Sequence, residues 1–374
     1  MTGRALMVGG RLDRYVARLF AASYLAALLL VVGLFLILNM AVDLDEFLEP
    51  GDDGTSPSMG LVLRYYALKL PFYYLEMSPF VTLVAGLFTA ARLSRQNEVV
   101  AVLNAGVSSR RLLAPVFLGA TLLAGGMFVL RELATEKLGA ERDRIHDYLE
   151  HRRPHLITGP LWVRGSAGER VRIDEYVSAP AEEGGPEIRG LSCFRRIGEA
   201  AVVIYASVAR DPRLADGHWT WQLEGGRQVL VEADQQRPQP LAVFDAVDFG
   251  PKDVEMARRG RDQPLELSFA EVHELLARDP TNLQYRMVRQ YHLTFPLAGL
   301  VLLLVGMPFV MGQERGRNVE RIASGLLLCM VYFGTDFVAR TLGLQGQIGP
   351  LYAAWLPILL FGSLGAVLYA GMRS

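Results

Sequence analysis

Only two of the 374 residues are cysteine, Cys193 and Cys329. One falls in a polar stretch and the other in an apolar one, so no disulfide framework and no redox chemistry are expected. An excess of charge of one sign is also missing: 38 basic residues face 39 acidic ones, for a net charge of −1. No segment joins a basic face to interleaved aromatics, which sets nucleic acid aside as a partner. There is no GxxxxGK[ST] loop to cradle nucleotide phosphates, no HExxH pair and no Cys/His cluster with metal-ligand spacing. No catalytic residue, cofactor or metal is therefore assigned, and any energy source is expected in another chain. The six histidines are dispersed. His146, His151 and His155 partly share a helical face and read as polar surface.

What the chain has is segregation. Hydrophobic residues make up 51% of it and charged ones 21%, with a mean hydropathy of +0.23. That mixture requires apolar blocks set apart from polar ones. Leu19 to Val42 carries no charge, and about 20 residues suffice to cross a hydrocarbon core. It is too long for a signal peptide and lacks a prompt small-residue cleavage site, so it reads as a retained anchor. Further runs lie at Leu70 to Ala91, Leu112 to Leu130, Phe295 to Met311, Ile322 to Val338 and Leu351 to Met372. The pattern predicts six spans, three on each side of a soluble insert.

Short loops give the orientation, because Lys and Arg are retained on the cytoplasmic side. Arg4, Arg11, Arg14 and Arg18 precede the first span; Arg92, Arg95, Arg110 and Arg111 follow the second; Arg315, Arg317 and Arg321 follow the fourth. After the first span stand Asp43, Asp45, Glu46, Glu49, Asp52 and Asp53 with no basic residue, and Thr341 to Pro350 is uncharged. Both termini are thus expected in the cytoplasm and the insert in the periplasm.

The insert reads as β structure. Leu161 to Arg164, Val171 to Ile173, Val202 to Tyr205, Trp219 to Leu223 and Val229 to Val231 are short runs of β-formers. Gly165-Ser166, Gly184-Gly185, Asp216-Gly217 and Gly225-Gly226 separate them as turns. An antiparallel sandwich or jelly roll follows. Ser268 with Glu271 three residues later forms a capping box that predicts a helix to Ala277.

This order of parts resembles the LptF/LptG family of lipopolysaccharide export permeases over nearly the whole chain. The run from Arg92 to Ser108 (RLSRQNEVVAVLNAGVS) looks like the family's coupling-helix signature. Leu161-Trp162, the Gly217 to Gly226 segment around Trp219 and Leu223, Phe295-Pro296-Leu297-Ala298, and Gly349-Pro350 through Ala354-Trp355-Leu356-Pro357 resemble it too. Leu12-Asp13-Arg14-Tyr15 leans towards the G-type paralogue, although Asn39 and Met40 stand where that paralogue often has a lysine. The resemblance implies an α-helical membrane protein with six transmembrane helices and an inserted periplasmic β-jelly-roll domain. Residues 1–136 would hold the first three spans with a cytoplasmic coupling helix at about 92–108; 137–286 the β domain with flanking helices; 287–374 the last three spans. It further implies an inner-membrane permease subunit that extracts lipopolysaccharide and passes it to a periplasmic jelly-roll bridge. Its partners would be a cytoplasmic ABC ATPase subunit and a paralogous or identical permease. The rival readings are a membrane-embedded lipid-modifying enzyme, which lacks a catalytic set here, and a mechanotransmission permease, which usually has four spans.

Four groups of residues bear on that reading. Within Ser94 to Val107, Val99, Val102 and Leu103 share one helical face. Taken alone this is a loop helix on a lipid surface or a docking knob; the resemblance favours docking, with Glu98 as the family's coupling glutamate beside Arg92 and Arg95. Lys137, Arg142 and Arg144, mixed with Glu132, Glu136, Glu141 and Asp143, read either as a solvated ion-paired helix or as a phosphate-binding patch, since Arg forks bind phosphate bidentately. The resemblance places lipid entry there, Arg142 and Arg144 matching best. Glu76, between Pro71 and Pro79 in the second span, is an intramembrane carboxylate that either marks a site or pairs with Lys69 near the outer end. Asp336 and Arg340, four apart in the fifth span, are expected to neutralise each other.

Overall fold

A computed structural model of the protein describes residues 10–48, 57–151, 156–165, 168–178, 185–197, 200–215, 217–231, 238–246, 249–311 and 318–372. Arg4, Glu49, Asp52, Asp53, His155, Ser166, Gly184, Asp216, Arg315 and Arg317 lie outside these residues. The described chain divides into two compact units, one of Met1–Leu44, Tyr66–Ala134 and Met287–Ser374, the other of Asp45–Tyr65 and Thr135–Arg286.

The first unit is helical. It draws on α1 (Arg11–Leu48), α2 (Met59–Arg95), α3 (Glu98–Asn104) and α4 (Ser109–Ala134). Later elements of the chain complete it. Among the described residues six helices are long and apolar enough to cross a membrane: Arg11–Asp45, Met59–Arg95, Ser109–Leu149, Leu283–Val310, Leu327–Leu344 and Pro350–Ala370. The first three extend past the apolar stretches read from the sequence at both ends, because backbone hydrogen bonding continues after the apolar run has ended. In α2 neither Pro71 nor Pro79 breaks the helix. Leu25, Leu29, Leu30, Leu34, Ile37 and Leu38 of α1 are exposed, as a helix solvated by lipid requires.

The longer segment of the second unit opens with a π turn, Thr135–Gly139, and α5 (Ala140–His151). Eight strands follow: β1 (Leu156–Arg164), β2 (Arg170–Val177), β3 (Glu187–Ile197), β4 (Ala200–Ala215), β5 (His218–Glu224), β6 (Arg227–Val231), β7 (Pro238–Pro240) and β8 (Val243–Ala246). All pairings are antiparallel; most join neighbours along the chain, while β4 also pairs with β6 and β5 with β8. β5 and β6 act as one strand laid along β4. Val208 faces Glu224 and Tyr205 faces Arg227, so the register is unbroken across Gly225, whose φ of +65° only glycine adopts without strain. β7 and β8 extend along that composite strand in the same way.

The sheet curls. Lying flat, β3 and β8 would be roughly 14 Å apart with two strands between them. Yet Arg195 of β3 donates to the main-chain oxygen of Asp245 in β8 at 2.5 Å, while also pairing with buried Glu169. The inner face carries Leu161, Val171, Leu191, Ile204, Trp221 and Phe244 in one core, where the Trp221 indole donates to Phe249 O at 2.7 Å. β3 was not foreseen, because Gly190 and its arginines dilute the β-former signal. Helices α6 (Pro251–Asp262) and α7 (Phe269–Arg278) follow. Ser268 caps α7 as expected: Ser268 Oγ accepts from Glu271 N at 3.0 Å, and Ser268 N donates to the Glu271 carboxylate at 2.9 Å.

Helices α8 (Leu283–Val310), α9 (Asn318–Leu344) and α10 (Pro350–Ala370) complete the chain. In the helical unit Leu83 of α2, Leu302 of α8, Tyr332 of α9 and Phe361 of α10 share one core. Asp336 and Arg340 are not within ion-pair distance; Arg340 instead donates to the Tyr291 hydroxyl at 3.0 Å and lies over the Tyr291 and Phe337 rings. The chain is an α-helical membrane protein with an inserted β domain.

Candidate functional site

The loop between α2 and α4 is built by three local signals. α2 stops at Arg95, and Asn97 turns the chain in the left-handed region with φ 57°, a conformation asparagine tolerates better than most residues. The single helix expected across this stretch is therefore broken, and α3 is a separate helix starting at Glu98. It ends in a Schellman motif: Gly106 N donates to Leu103 O at 2.9 Å, Val107 N donates to Val102 O at 3.1 Å, and Gly106 sits at φ +79°. Ser108 then starts α4, its Oγ accepting from Arg111 N at 3.4 Å.

These stops fix which way α3 faces. Val99 is 5% exposed, with Val102 and Leu103 half-buried on the same stripe. Val100, Ala101, Asn104 and Ala105 face outward, a small and mostly apolar surface, and Arg92 and Arg95 are exposed beside it. Glu98 sits at the first turn of α3, and its Oε1 accepts a hydrogen bond from the Tyr15 hydroxyl at 2.8 Å. Two residues earlier on α1, Asp13 is gripped by Arg111 through two hydrogen bonds of 2.7 and 2.8 Å. Arg110 binds the main-chain oxygen of Ala370 at the end of α10. Sequence reasoning singled out Glu98 but not its contact with Tyr15, nor the Asp13–Arg111 pair, for no local pattern announces pairs 83 and 98 residues apart.

The basic residues of the second unit are divided. Arg144 is 63% exposed in its side chain, with Glu255 at 3.8 Å, and Lys137 is exposed on the π turn. Arg142 turns inward: only 5% of its side chain is exposed, and it binds Asp143 at 2.6 Å as well as Glu266. Arg142 and Arg144 thus differ in exposure. Residues two apart on an α-helix point to nearly opposite sides, so the two arginines cannot present one face. Arg142 shares Asp143 with Arg258, which also pairs with Asp147; Arg259 on Glu271 and Arg278 on Asp253 are further buried ion pairs of this unit.

Among the described residues the two edges of the sheet differ. Over β1, Arg261 of α6 donates to Gly159 O at 3.5 Å and Arg164 pairs with Asp279 at 2.6 Å. At the far side β7 and β8 each pair with one strand only. Cys193 lies in the β core and Cys329 in α9; both are buried and free. Among the described residues no group of three or more His, Cys, Asp or Glu side chains is placed to hold a metal ion. No curated protein matches the chain. A family model described as lipopolysaccharide export system permease LptF/LptG matches residues 14–370.

Proposed function

The chain belongs to the LptF/LptG family of lipopolysaccharide export permeases, and on that premise we propose that it couples hydrolysis in a separate ABC ATPase to extraction of lipopolysaccharide and its transfer to a periplasmic bridge. Membership makes it a multi-pass inner-membrane transport subunit rather than an enzyme. The observation that carries the coupling reading is α3: a short helix with a small outward face and one carboxylate, Glu98, in an otherwise basic loop. Such a surface suits docking into a groove, with Glu98 meeting a partner arginine. Arg92 and Arg95 would flank that contact.

The lipid side of the proposal rests on Lys137 and Arg144, exposed cations suited to the phosphates of a lipid, while Arg142 holds α5 in shape. In this reading residues 1–136 and 287–374 form the membrane part, and 137–286 form the periplasmic domain. Lipid would enter laterally between this subunit and a paralogous or identical permease, its acyl chains against spans one, two and five. A bridge protein of similar β architecture would join at the β7–β8 edge, where main-chain groups lack a further strand, rather than at the covered β1 edge. Basic loops keep both termini in the cytoplasm.

Purification of the full-length chain from membranes, with identification of bound protein and lipid, tests this reading. A nucleotide-hydrolysing subunit and lipopolysaccharide should accompany it. ATP hydrolysis by the chain alone, or chemical modification of lipid without a partner, would overturn it.

A further inference from the structure

We infer that Tyr15 is a positioning residue for Glu98, holding its carboxylate ready for the partner arginine; the inference rests on the docking reading of α3. The phenol donates to Oε1 at 2.8 Å and leaves Oε2 for a second donor. A glutamate at the start of a short surface helix otherwise samples several rotamers and must lose that freedom when a partner binds. A hydrogen bond already in place removes part of that loss, as preorganisation generally does.

Tyr15 can do this because it is itself held. It lies two residues after Asp13, which is only 5% exposed. Asp13 accepts both hydrogen bonds of the Arg111 fork, and its Oδ2 also accepts from Gly10 N at 3.2 Å. The bidentate geometry fixes direction as well as distance. The start of α1 is thereby joined to the start of α4 through Asp13 and to the start of α3 through Tyr15, from either side of the loop that carries the docking face. The ring of Tyr15 is 40% exposed, so a partner seated on α3 can reach the pair without unpacking the core. Any displacement of α3 by the partner also pulls on the first turn of α1.

The test uses the full-length chain in nanodiscs with its ATPase partner. Apparent affinity and lipid released per ATP hydrolysed are measured for wild type, Tyr15→Phe, Glu98→Ala and the double variant. Tyr15→Phe keeps the ring and removes only the donor, and Glu98→Ala removes the acceptor. Tyr15→Phe should weaken the complex roughly threefold to tenfold, the usual net effect of one hydrogen bond, and lower the lipid-to-ATP ratio. The double variant should bind no more weakly than Glu98→Ala alone. Wild-type behaviour of Tyr15→Phe, or strictly additive losses in the double variant, would overturn the inference, since additivity marks a role independent of Glu98. Wild-type affinity of Glu98→Ala would instead overturn the docking reading beneath it.

Discussion

Arg142 of α5 and Glu266 in the turn before α7 form an ion pair in which the arginine keeps only 5% of its side chain exposed and the glutamate 36%. The same guanidinium binds Asp143, and Arg258 and Gln263 complete the surroundings. A buried charge left without its partner costs far more than the pair contributes when intact.

Replacing Arg142 by Ala should therefore destabilise the unit by about 3 kcal/mol or more, by leaving Asp143 under-compensated in a buried place. Arg144→Ala, two residues on and exposed, should change stability by no more than about 0.5 kcal/mol. Thermal unfolding and limited proteolysis of the two variants would check the contrast; equal losses would refute it.

The exposed cations should matter for lipid instead. Reversing charge at Lys137 and Arg144 together is expected to lower co-purified lipopolysaccharide several-fold, because each charge-assisted phosphate contact contributes about 1.5–3 kcal/mol before water screens it. Photo-crosslinkers at both positions should capture lipid in membranes. If neither does so while positions on α1 do, the patch is only a solvated surface.

Cysteine reporters would settle the topology. Ser192→Cys, on the strand β3, should react with an impermeant maleimide from the periplasmic side, and Asn104→Cys on α3 only after the inner membrane is opened. The native thiols should give little background: Cys193 and Cys329 are buried, and burial pushes the Cys193 thiol up to about 12. The reverse pattern would invert the orientation drawn from the basic loops.

Acid should weaken the β domain through Glu187. Its hydrogen bond from Arg189, helped by Arg210, holds the carboxyl below the usual carboxylate range against the opposing effect of burial. The unfolded chain therefore takes up a proton before the folded one does. The stabilisation is complete above the ordinary glutamate value of about 4.3 and is lost as pH falls through the lower folded value. Thermal midpoints of wild type and Glu187→Gln should differ at neutral pH and converge in acid; a constant difference across that range would exclude the linkage.

The sequence by itself determined the spans, the presence of a β insert and the cap of α7. Each depends on a local property: hydropathy over one segment, β-formers between turn residues, or Ser268 and Glu271 within one helical turn. It also marked Glu98, the carboxylate of a basic loop. It did not reveal β3, whose arginines and Gly190 hide the alternation that is clear once Cys193 and Leu191 face the core. The tertiary structure alone decided that Arg142 points inward, since the face of α5 that meets Gln263 and Glu266 is chosen by packing and not by composition. It also decided that Tyr15 reaches Glu98 across 83 residues of chain. A hydrogen bond between distant residues leaves no trace in either local segment, because it exists only when separate helices, each stable for its own reasons, are packed at one particular rotation.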